Sequence, residues 1–458
     1  MVTNKAYARE IESAFAVLSL VKSASSTNAK VNILKEHEGN NALQTLLFYA
    51  FNSFKQYYVK QLPEITPAGD NNIEAHFTAF INTLESMSSR VISDGRTAIT
   101  NVLSGCSREE FEWYRGVLLR DLGLGITAKG VNKAYPGLIP TYEVQLAETV
   151  KDITLTDKKQ LNRLPERFVL QYKIDGYRMN IHKFEDGHVD IRTRSGLPVA
   201  GYTKLEEEVR EFLPQCRVYD GEMVSPELFT WIEKNILADN GDKVADRSLF
   251  QDAMRKCFAK GIGKDGIFNI FDAVPMSEWT SQNAQDAYHE RLDFLNYDVK
   301  PIVDGNDLSQ MTVVPTSRVF YKNNPDDMAE VIRIFHKFLS WGWEGLMIKD
   351  VDAAYAWTRN KNVLKMKLMD TADLTVLSVI EAEGAGRGQV GKLVCDYNGV
   401  TMNIGTGRMT ENEKKLYLAN PNLIIGKTVE VAYQAVSRGK NGEPVLDFAR
   451  YMKVRKDK

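Results

Sequence analysis

Residues 168–178 read Phe-Val-Leu-Gln-Tyr-Lys-Ile-Asp-Gly-Tyr-Arg, and this stretch indicates both a local fold and a chemistry. Its first five residues are mostly apolar and β-prone, and Asp-Gly is a strong turn signal, so the pattern predicts a strand that ends in a turn. Lys173 lies where strand and turn meet, with Asp175 and Arg178 close behind. A lysine held there can act as a nucleophile. Because a single Lys-x-Asp-Gly element also fits an ordinary hairpin with a surface lysine, the rest of the chain has to decide.

The overall composition is that of a multidomain globular protein. The 458 residues are too many for one hydrophobic core and predict roughly two to four domains. No apolar run is long enough to span a membrane, and the N-terminus lacks the apolar core of a signal peptide, so we expect a cytoplasmic protein without a membrane partner. The net charge of −2 leaves the partner open, because the basic residues of a nucleic-acid enzyme can gather on one face.

The four cysteines bear on metal and redox chemistry. Cys106, Cys216, Cys257 and Cys395 are scattered and form no Cys-x-x-Cys pair. This spacing argues against a structural zinc site or a disulfide framework and suits a reducing compartment. We therefore expect no zinc.

The character of the sequence changes twice along the chain. From about residue 5 to 130, apolar residues recur at helical spacing with few β-branched ones, which predicts helices. After Pro136–Pro140, short β-rich runs alternate with turns and helices, including a helical insert at about 226–262. From about 372 onward strands dominate, with one helical patch near Glu411–Leu418, which suits a small β-barrel such as an OB fold. The expected architecture is multidomain α+β, with an all-α domain over 1–132, a mixed α/β domain over 133–370 and a β-barrel domain over 371–458.

Further elements downstream could assist a reactive Lys173. In chain order they are Arg192-Thr193-Arg194-Ser195-Gly196, Asp220-Gly221-Glu222, Phe271-Asp272, Glu344-Gly345-Leu346-Met347-Ile348-Lys349, Lys365-Met366-Lys367 and Arg455-Lys456-Asp457-Lys458. Each has an ordinary structural explanation when taken alone, such as a hairpin turn or the exposed face of an edge strand. Their occurrence in this order, within one domain and the barrel that follows it, is hard to obtain by chance.

In this order the elements resemble those of the covalent nucleotidyltransferase superfamily, and specifically of the ATP-dependent DNA ligases. The likeness covers essentially the whole chain. The N-terminal part resembles the T-even-phage type through Arg120–Gly125 and Asn132–Pro140, followed by Gln145–Ala147. The resemblance implies a helical DNA-binding domain, an ATP-grasp-like nucleotidyltransferase (adenylation) domain and a C-terminal OB fold, which agrees with the three predicted domains.

The resemblance also implies an activity, which is the sealing of 5′-phosphate/3′-hydroxyl nicks in duplex DNA with ATP and Mg²⁺. Lys173 would take AMP from ATP, AMP would pass to the 5′-phosphate at the nick, and the 3′-hydroxyl would displace it. Nicked double-stranded DNA is then the expected partner of a protein that acts as a monomer. The basic patches at Lys129–Lys133 and Arg438–Lys440 are expected to contact DNA phosphates without sequence preference.

Roles around Lys173 follow from the chemistry and the resemblance together. A lysine amine must lose its proton before it attacks, and nearby positive charge favours that loss. Lys365 and Lys367 are the expected neighbours, because alternate residues on one strand face can both point at the α-phosphate. The other expected nucleotide contacts are Gln171, Arg178, Arg194, Glu222, Phe271 and Glu344, with Arg178 on ribose or phosphate and Phe271 stacked on adenine.

The remaining expected contacts are with Mg²⁺, with the 5′-phosphate of the nick and with pyrophosphate. Mg²⁺ prefers hard oxygen ligands and keeps several waters, so one or two carboxylates suffice. Glu222 and Glu344 are the expected ligands, with Asp175 holding a metal-bound water. Arg194 and Arg359 would contact the 5′-phosphate of the nick, since a guanidinium group suits phosphate. The resemblance further implies that the last residues orient the pyrophosphate in the first step, through Arg455, Asp457 and Lys458.

Two alternatives stay open at this point. RNA ligases and mRNA capping enzymes share the Lys-x-Asp-Gly element, although capping enzymes normally lack an upstream helical domain and many RNA ligases lack the barrel. The non-enzymatic alternative is a nick-binding scaffold with an inactive nucleotide site. The presence of Lys173, Glu222, Glu344, Lys365 and Lys367 speaks against a scaffold.

Overall fold

The computed structural model describes the chain apart from residues 1, 60, 61, 63, 70, 71, 90, 92, 93, 151–157, 227–264, 341–344, 368, 369, 384, 385, 434, 435, 439–441 and 456–458. The helical insert predicted at about 226–262 therefore falls almost wholly outside the described residues. The predicted site residues Glu344, Asp457 and Lys458 also lie outside them.

The chain divides into two compact units, and each is assembled from more than one segment. The first comprises Met1–Thr141, Ser378–Leu393 and Thr410–Ile424. The second comprises Tyr142–Leu377, Val394–Met409 and Ile425–Lys458. Helices dominate the N-terminal segment and strands dominate the rest of the described chain, so the predicted mixed α+β class is confirmed.

Seven helices occur in the described part of the N-terminal segment, as the apolar spacing predicts. They are α1 (Val2–Ser23), α2 (Thr27–Lys35), α3 (Asn41–Phe51), α4 (Ile73–Ser88), α5 (Gly95–Gly105), α6 (Arg108–Leu118) and α7 (Ala128–Ala134). Their apolar faces form one core that includes the fully buried Leu18, Leu43 and Phe80. Polar residues define the helix starts. Ser107 and Glu110, for example, form a reciprocal capping box at the start of α6.

Two five-stranded sheets form most of the second unit. The first sheet has the order β1-β10-β9-β2-β8, and the second has the order β4-β3-β5-β6-β7. The strands are β1 (Leu146–Val150), β2 (Arg167–Tyr172), β3 (Tyr177–Lys183), β4 (Val189–Thr193), β5 (Arg217–Val224), β6 (Ile267–Pro275), β7 (Met311–Val313), β8 (Phe320–Tyr321), β9 (Leu346–Asp350) and β10 (Arg359–Met366). The helices are α8 (Lys158–Leu161), α9 (Thr203–Phe212), α10 (Met276–Ser281), α11 (Tyr288–Phe294), α12 (Lys300–Gly305) and α13 (Pro325–Ser340), with a π-helical turn at Leu295–Val299.

The two strands that flank Lys173 in the sequence belong to different sheets. β2 lies in the first sheet and ends at Tyr172, whereas β3 lies in the second sheet and begins at Tyr177. The predicted strand is therefore present, but residues 173–176 connect two sheets instead of closing a hairpin. Each sheet has its own apolar core, centred on residues such as Phe168 in the first sheet and Phe268 in the second.

The C-terminal strands close into a barrel with the order β11-β12-β13-β17-β14. Its strands are β11 (Asp370–Glu381), β12 (Val390–Tyr397), β13 (Val400–Gly405), β14 (Thr428–Tyr433) and β17 (Arg450–Val454), while β15 (Val436–Arg438) and β16 (Pro444–Leu446) form a separate two-stranded sheet. The predicted helical patch is α14 (Glu411–Ala419), which begins with a capping box at Thr410 and is followed by a short 3₁₀ turn at Pro421–Leu423. Among the described residues, none of the helices has the length and apolar character that crossing a bilayer would require.

Candidate active site

Glycines hold the backbone at Lys173 close to two neighbouring strands. The Lys173 N–H donates to the carbonyl oxygen of Gly345 at 3.0 Å. Gly345 has φ +141°, and a Cβ atom there would collide with the carbonyl oxygen of Met366. A Cβ atom at Gly176 would lie 2.5 Å from the carbonyl oxygen of Met223. Only glycine fits such close backbone approaches, so these two positions fix the path of the chain on both sides of the lysine.

A cavity of about 920 Å³ opens beside Lys173, and residues from both five-stranded sheets line it. Eight of the residues predicted from the sequence belong to this lining, namely Gln171, Lys173, Arg178, Arg194, Glu222, Phe271, Arg359 and Lys365. Asp175 and Lys367 are described but are not part of the lining. With Lys349, which also belongs to the lining, five positively charged groups besides Lys173 meet in one concave site of the size that binds a small ligand.

Strand register explains why residues far apart in sequence meet here. Gln171 on β2 pairs with Met347 on β9, and Met347 pairs in turn with Lys365 on β10. In the second sheet, Arg178 on β3 pairs with Glu222 on β5. Residues paired across neighbouring strands project from the same face of a sheet. The pairing therefore brings these side chains to the cavity from two directions.

Arg178 is anchored by protein groups. Its Nε and Nη2 atoms donate to Asp220 Oδ1 and Oδ2 at 2.9 and 2.5 Å, and its Nη1 atom donates to the Gln145 carbonyl oxygen at 2.6 Å. The Tyr355 hydroxyl also donates to Asp220, at 2.9 Å. Burial opposes the charged form of Arg178, but the carboxylate of Asp220 outweighs burial and raises the guanidinium pKa. Arg178 is therefore a fixed positive charge on the cavity wall.

The Lys349 ammonium group lies close to the Phe271 ring, and hydrogen bonds to the Phe271 carbonyl oxygen hold the residue in place. Lys349 Nζ lies 4.7 Å from the ring centroid and donates to the Phe271 carbonyl oxygen at 2.7 Å. The Tyr288 hydroxyl donates to the same oxygen at 3.2 Å, and Gln171 Nε2 donates to Tyr288 Oη at 3.1 Å. Burial lowers the pKa of Lys349 to about 8. This network positions an aromatic ring at the cavity wall, where a flat heterocycle could stack on it.

A buried ion pair supports the strand that carries Phe271. Arg291 on α11 donates through Nε to Asp272 Oδ1 at 2.8 Å and through Nη2 to Asp272 Oδ2 at 3.2 Å. Both side chains are almost fully buried. Burial raises the pKa of Asp272, but Arg291 and Lys349 outweigh burial and hold that pKa below its ordinary value. The pair fixes β6 to α11 directly behind the cavity.

Glu222 lies close to Lys173 and is only partly accessible, through the cavity. Burial raises the pKa of its carboxyl group to about 7, although the positive charges of Lys173 and then Arg178 act to lower it. A carboxyl group in this setting can hold a cation or accept a hydrogen bond from a substrate. It is the best-placed of the predicted metal ligands among the described residues, since Asp175 is exposed.

The remaining predicted residues differ in position. Arg194 lies in the turn after β4 and Arg359 at the start of β10, both exposed at the cavity. Arg359 Nη1 donates to the carbonyl oxygen of Ala147. Lys367 directly follows the end of β10 at Met366, so its placement on the same strand face as Lys365 stays a prediction. Arg455 follows β17 and pairs with Asp373 and Glu430 at 3.3 and 3.2 Å.

Several residues that line the cavity or support its lining were not predicted from the sequence. Asp220 and Lys349 lie inside the Asp220–Glu222 and Glu344–Lys349 elements, and alternation along each strand could have revealed them. Tyr355, Tyr288 and Arg291 had no comparable signal. Their roles depend on tertiary contacts with residues 60 or more positions away or on helix packing behind β6.

The strand-end lysine, the glycines beside it and the basic cavity have the character of a site for a phosphorylated ligand. Comparison with known proteins agrees. Residues 144–367 match the family model described as ATP dependent DNA ligase domain. The DNA ligase of Enterobacteria phage T4 is 25% identical over an alignment that covers 90% of this chain and 89% of the relative. The DNA ligase of Enterobacteria phage T6 shows the same identity and coverage.

Residues 144–367 thus belong to the ATP-dependent DNA ligase domain family, which agrees with the family predicted from Lys173 and the elements that follow it. The fold agrees over nearly the full length. A solved structure named Pmar-Lig_PreS3 superposes with a TM-score of 0.76 at 21% identity, covering 96% of this chain and 99% of that chain. At this identity the likeness concerns the fold alone.

Proposed function

We propose that this protein seals 5′-phosphate/3′-hydroxyl nicks in duplex DNA with ATP, and that Lys173 is the nucleophile. The observation that carries the proposal is the position of Lys173 at the end of β2, beside a cavity lined by Arg178, Arg194, Arg359 and Lys365. A cavity with this concentration of fixed positive charge suits a polyphosphate ligand. The family membership of residues 144–367 supports the same conclusion.

The reaction consists of three nucleophilic substitutions at phosphorus. In the first, Lys173 Nζ attacks the α-phosphorus of ATP, the bond to the bridging oxygen breaks, and pyrophosphate leaves. In the second, an oxygen of the DNA 5′-phosphate attacks the same phosphorus, and the phosphorus–nitrogen bond to Lys173 breaks. In the third, the DNA 3′-hydroxyl attacks the 5′-phosphorus and AMP leaves. The amine proton and the hydroxyl proton pass to solvent or to a nearby base.

The cavity residues have distinct jobs in this scheme. Phe271 stacks on adenine, and Gln171, held by Tyr288 and Thr316, lies at the same part of the cavity wall. Lys365 faces the α-phosphate, where negative charge grows as pyrophosphate leaves. Lys367, two residues further along the chain, is proposed to contact the same phosphate. Arg178 holds its position through Asp220 and presents charge without a reorganisation of its own.

The nick and the leaving group involve further charged residues. Arg194 and Arg359 are exposed at the cavity and are proposed to contact the 5′-phosphate of the nick. Arg455 is proposed to orient pyrophosphate in the first step, together with Asp457 and Lys458. In the described arrangement Arg455 is paired with Asp373 and Glu430. It would have to leave those carboxylates to perform this role.

Magnesium fits the donor set at this site. Glu222 offers a carboxylate whose pKa burial raises to about 7, and a divalent cation beside it would favour the ionised form. Glu222 and Glu344 would hold the ion, and the exposed Asp175 would hold one of its waters. The ion would supply charge neutralisation for the phosphates.

We also propose three domains with separate duties, at 1–132, 133–370 and 371–458. The barrel order β11-β12-β13-β17-β14, with α14 between β13 and β14 along the chain, supports the proposal that the last domain is an OB fold. The helical and barrel domains would contact duplex phosphates through basic side chains such as Lys129 and Lys133. Nothing in this scheme requires a second subunit, so the active species is proposed to be a monomer.

A labelling and sealing experiment tests the proposal. The protein is first treated with pyrophosphate and Mg²⁺ to remove any bound AMP, then incubated with α-labelled ATP, GTP or NAD⁺. We expect label on the protein from ATP alone, and sealing of a nicked DNA duplex after nicked DNA is added. Label from GTP alone would indicate a capping-type enzyme, and no label with any nucleotide would indicate a scaffold. Faster sealing of nicked RNA than of nicked DNA would assign the protein to the RNA ligases.

A further inference from the structure

A second group of reactive side chains lies within the N-terminal helices. His76 on α4, Cys106 just after α5 and Glu110 on α6 each present one potential ligand atom, and these atoms all lie within 4.8 Å of one another. His76 Nδ1 lies 3.0 Å from Glu110 Oε1. Cys106 and Glu110 are buried and His76 is partly buried. An imidazole, a thiol and a carboxylate therefore converge at one point between three helices.

Hydrogen bonds to nearby backbone atoms hold Glu110 and Cys106 in place. The second oxygen of Glu110 accepts from the Ser107 N–H at 2.7 Å in the capping box, which directs the first oxygen toward His76. The Cys106 thiol donates to the Val102 carbonyl oxygen at 3.3 Å. Because backbone contacts hold Glu110 and Cys106, and His76 lies against Glu110, the three potential ligand atoms are kept close together.

An unpaired hydroxyl points to an additional ligand at the same place. Tyr114 is fully buried and stacks on Phe80, with the ring centroids 4.3 Å apart. Its hydroxyl has no hydrogen-bond partner among the described residues. Tyr114 lies four residues after Glu110 on α6, so the two side chains project from the same face of that helix. A buried hydroxyl without a partner calls for an explanation, and an ordered water or an ion supplies one.

We infer that His76, Cys106 and Glu110 bind one Zn²⁺ ion, with a water as the fourth ligand. Mixed sulfur, nitrogen and oxygen donors suit zinc, whereas Mg²⁺ and Ca²⁺ take oxygen ligands. The zinc-bound water gives the Tyr114 hydroxyl its missing partner. On binding, the Cys106 thiol releases its proton to solvent and gives up its hydrogen bond to Val102, and His76 binds as a neutral imidazole.

This site differs from the zinc site that the cysteine spacing argues against. That argument concerned sites built from several cysteines close in sequence, and here Cys106 is joined by side chains from two other helices. The competing explanation is that His76 and Glu110 form an ion pair and that Cys106 fills the core as a small apolar residue. The two explanations make different predictions about metal binding. If the site binds zinc, the wild-type protein should bind Zn²⁺ or Co²⁺ through the Cys106 thiolate, and if it is an ion pair beside a buried cysteine, it should not.

Cobalt titration of the full-length protein separates them. The metal-free protein, prepared with a chelator, is titrated with Co²⁺ and then Zn²⁺. We expect a near-ultraviolet thiolate-to-cobalt absorption that saturates at one ion per chain and disappears when Zn²⁺ is added. Cys106→Ser should lose the absorption. Cys216→Ser, which changes an exposed cysteine, should retain it. Tyr114→Phe removes an outer contact and should weaken zinc binding by ~10-fold or more.

A melting experiment guards against variants that fail to fold. Zn²⁺ should raise the melting temperature of the wild type and of Cys216→Ser but not of His76→Gln, with all three first shown to melt cooperatively in chelator. A wild-type protein that gives no thiolate absorption with Co²⁺ and no zinc-dependent shift would overturn the inference. So would an absorption that survives in a folded Cys106→Ser variant.

Discussion

At Glu222, burial and nearby charge act in opposite directions. Burial raises the pKa of this carboxyl group from 4.5 to about 7, while the positive charges of Lys173 and Arg178 act to lower it. Without a bound cation, the group is therefore partly protonated near neutral pH. In the proposed mechanism a divalent ion would restore the carboxylate, so the charge state of Glu222 depends on what occupies the cavity.

This shift predicts a pH-dependent difference in stability between the wild type and Glu222→Gln. Because the folded pKa exceeds the unfolded value of 4.5, the folded state binds more protons between those two values, and the stability contributed by Glu222 falls as pH rises through that range. Relative to Glu222→Gln, the wild type should lose roughly 1–3 kcal/mol of unfolding free energy between about pH 4 and pH 8. Urea unfolding of both proteins without nucleotide measures the difference.

The exposed Glu211 provides a matched control for that experiment. Glu211→Gln should follow the wild-type pH profile. Parallel profiles for the wild type and Glu222→Gln would show that the protein around Glu222 does not shift its proton equilibrium.

Gly345 is expected to be intolerant of any side chain. It has φ +141°, its carbonyl oxygen accepts from the Lys173 N–H, and a Cβ atom there would strike the backbone of Met366. Gly345→Ala should therefore lower stability by more than ~1 kcal/mol and reduce adenylylation of Lys173. Gly305→Ala is the control, because a Cβ atom at Gly305 meets nothing within 4 Å. Equal melting temperatures and equal labelling of the two variants would contradict the assigned role of Gly345.

Among the elements, the attachment of α11 to β6 is the clearest structural support of the site. The bidentate Asp272–Arg291 pair is nearly inaccessible to solvent, whereas the Lys300–Asp304 pair on α12 is half exposed. Removing one partner of a buried pair leaves an uncompensated charge, while a surface pair contributes little.

Asp272→Asn should accordingly cost about 3–5 kcal/mol of unfolding free energy, and Asp304→Asn less than about 1 kcal/mol. Denaturant unfolding of the two variants measures both values. Because the buried pair holds the strand of Phe271, Asp272→Asn should also raise the KM for ATP. An Asp272→Asn variant as stable as Asp304→Asn would show that the pair is not needed to hold β6 in place.

The elements also show what the sequence could and could not predict. Helices α1 to α7 and α14 follow from apolar spacing and capping residues, because those signals are local. The pairing of Arg178 with Glu222, and its anchoring by Asp220, are not local, since more than 40 positions separate Arg178 from either partner. The family resemblance therefore implied that Arg178 is in the site, but not that Asp220 and Gln145 hold it there.

Element boundaries limited the prediction for Lys367. The alternation of Lys365 and Lys367 predicted two lysines on one strand face, but β10 ends at Met366. The sequence also could not predict which strands the connection at residues 173–176 joins. Its turn was predicted from Asp-Gly, whereas the placement of β2 and β3 in separate sheets depends on pairings with β5 and β9 that no local signal encodes.

For the whole molecule, a net charge of −2 means that DNA affinity must come from local clusters of positive charge. Lys129 and Lys133 are exposed on one side of α7, four positions apart. If they contact duplex phosphates, binding of a nicked duplex should weaken by at least ~100-fold between 50 and 200 mM salt. Fluorescence anisotropy with a nicked duplex measures this dependence.

A charge reversal separates the local contribution from the overall charge. Lys133→Glu should weaken DNA binding and make it less sensitive to salt. Lys300→Glu changes the net charge equally on an unrelated surface and should have a much smaller effect. Equal losses in the two variants would show that α7 has no specific role in DNA binding.

The central claim is that Lys173 carries AMP covalently, and intact-protein and peptide mass spectrometry tests it directly. After incubation with ATP and Mg²⁺, the account predicts one AMP group per chain, attached to the peptide that contains Lys173 and released by pyrophosphate or by nicked DNA. Lys173→Arg should carry no AMP, and Lys361→Arg, which changes an exposed lysine on β10, should carry the wild-type amount. AMP on a different residue, or AMP retained by Lys173→Arg, would contradict the account.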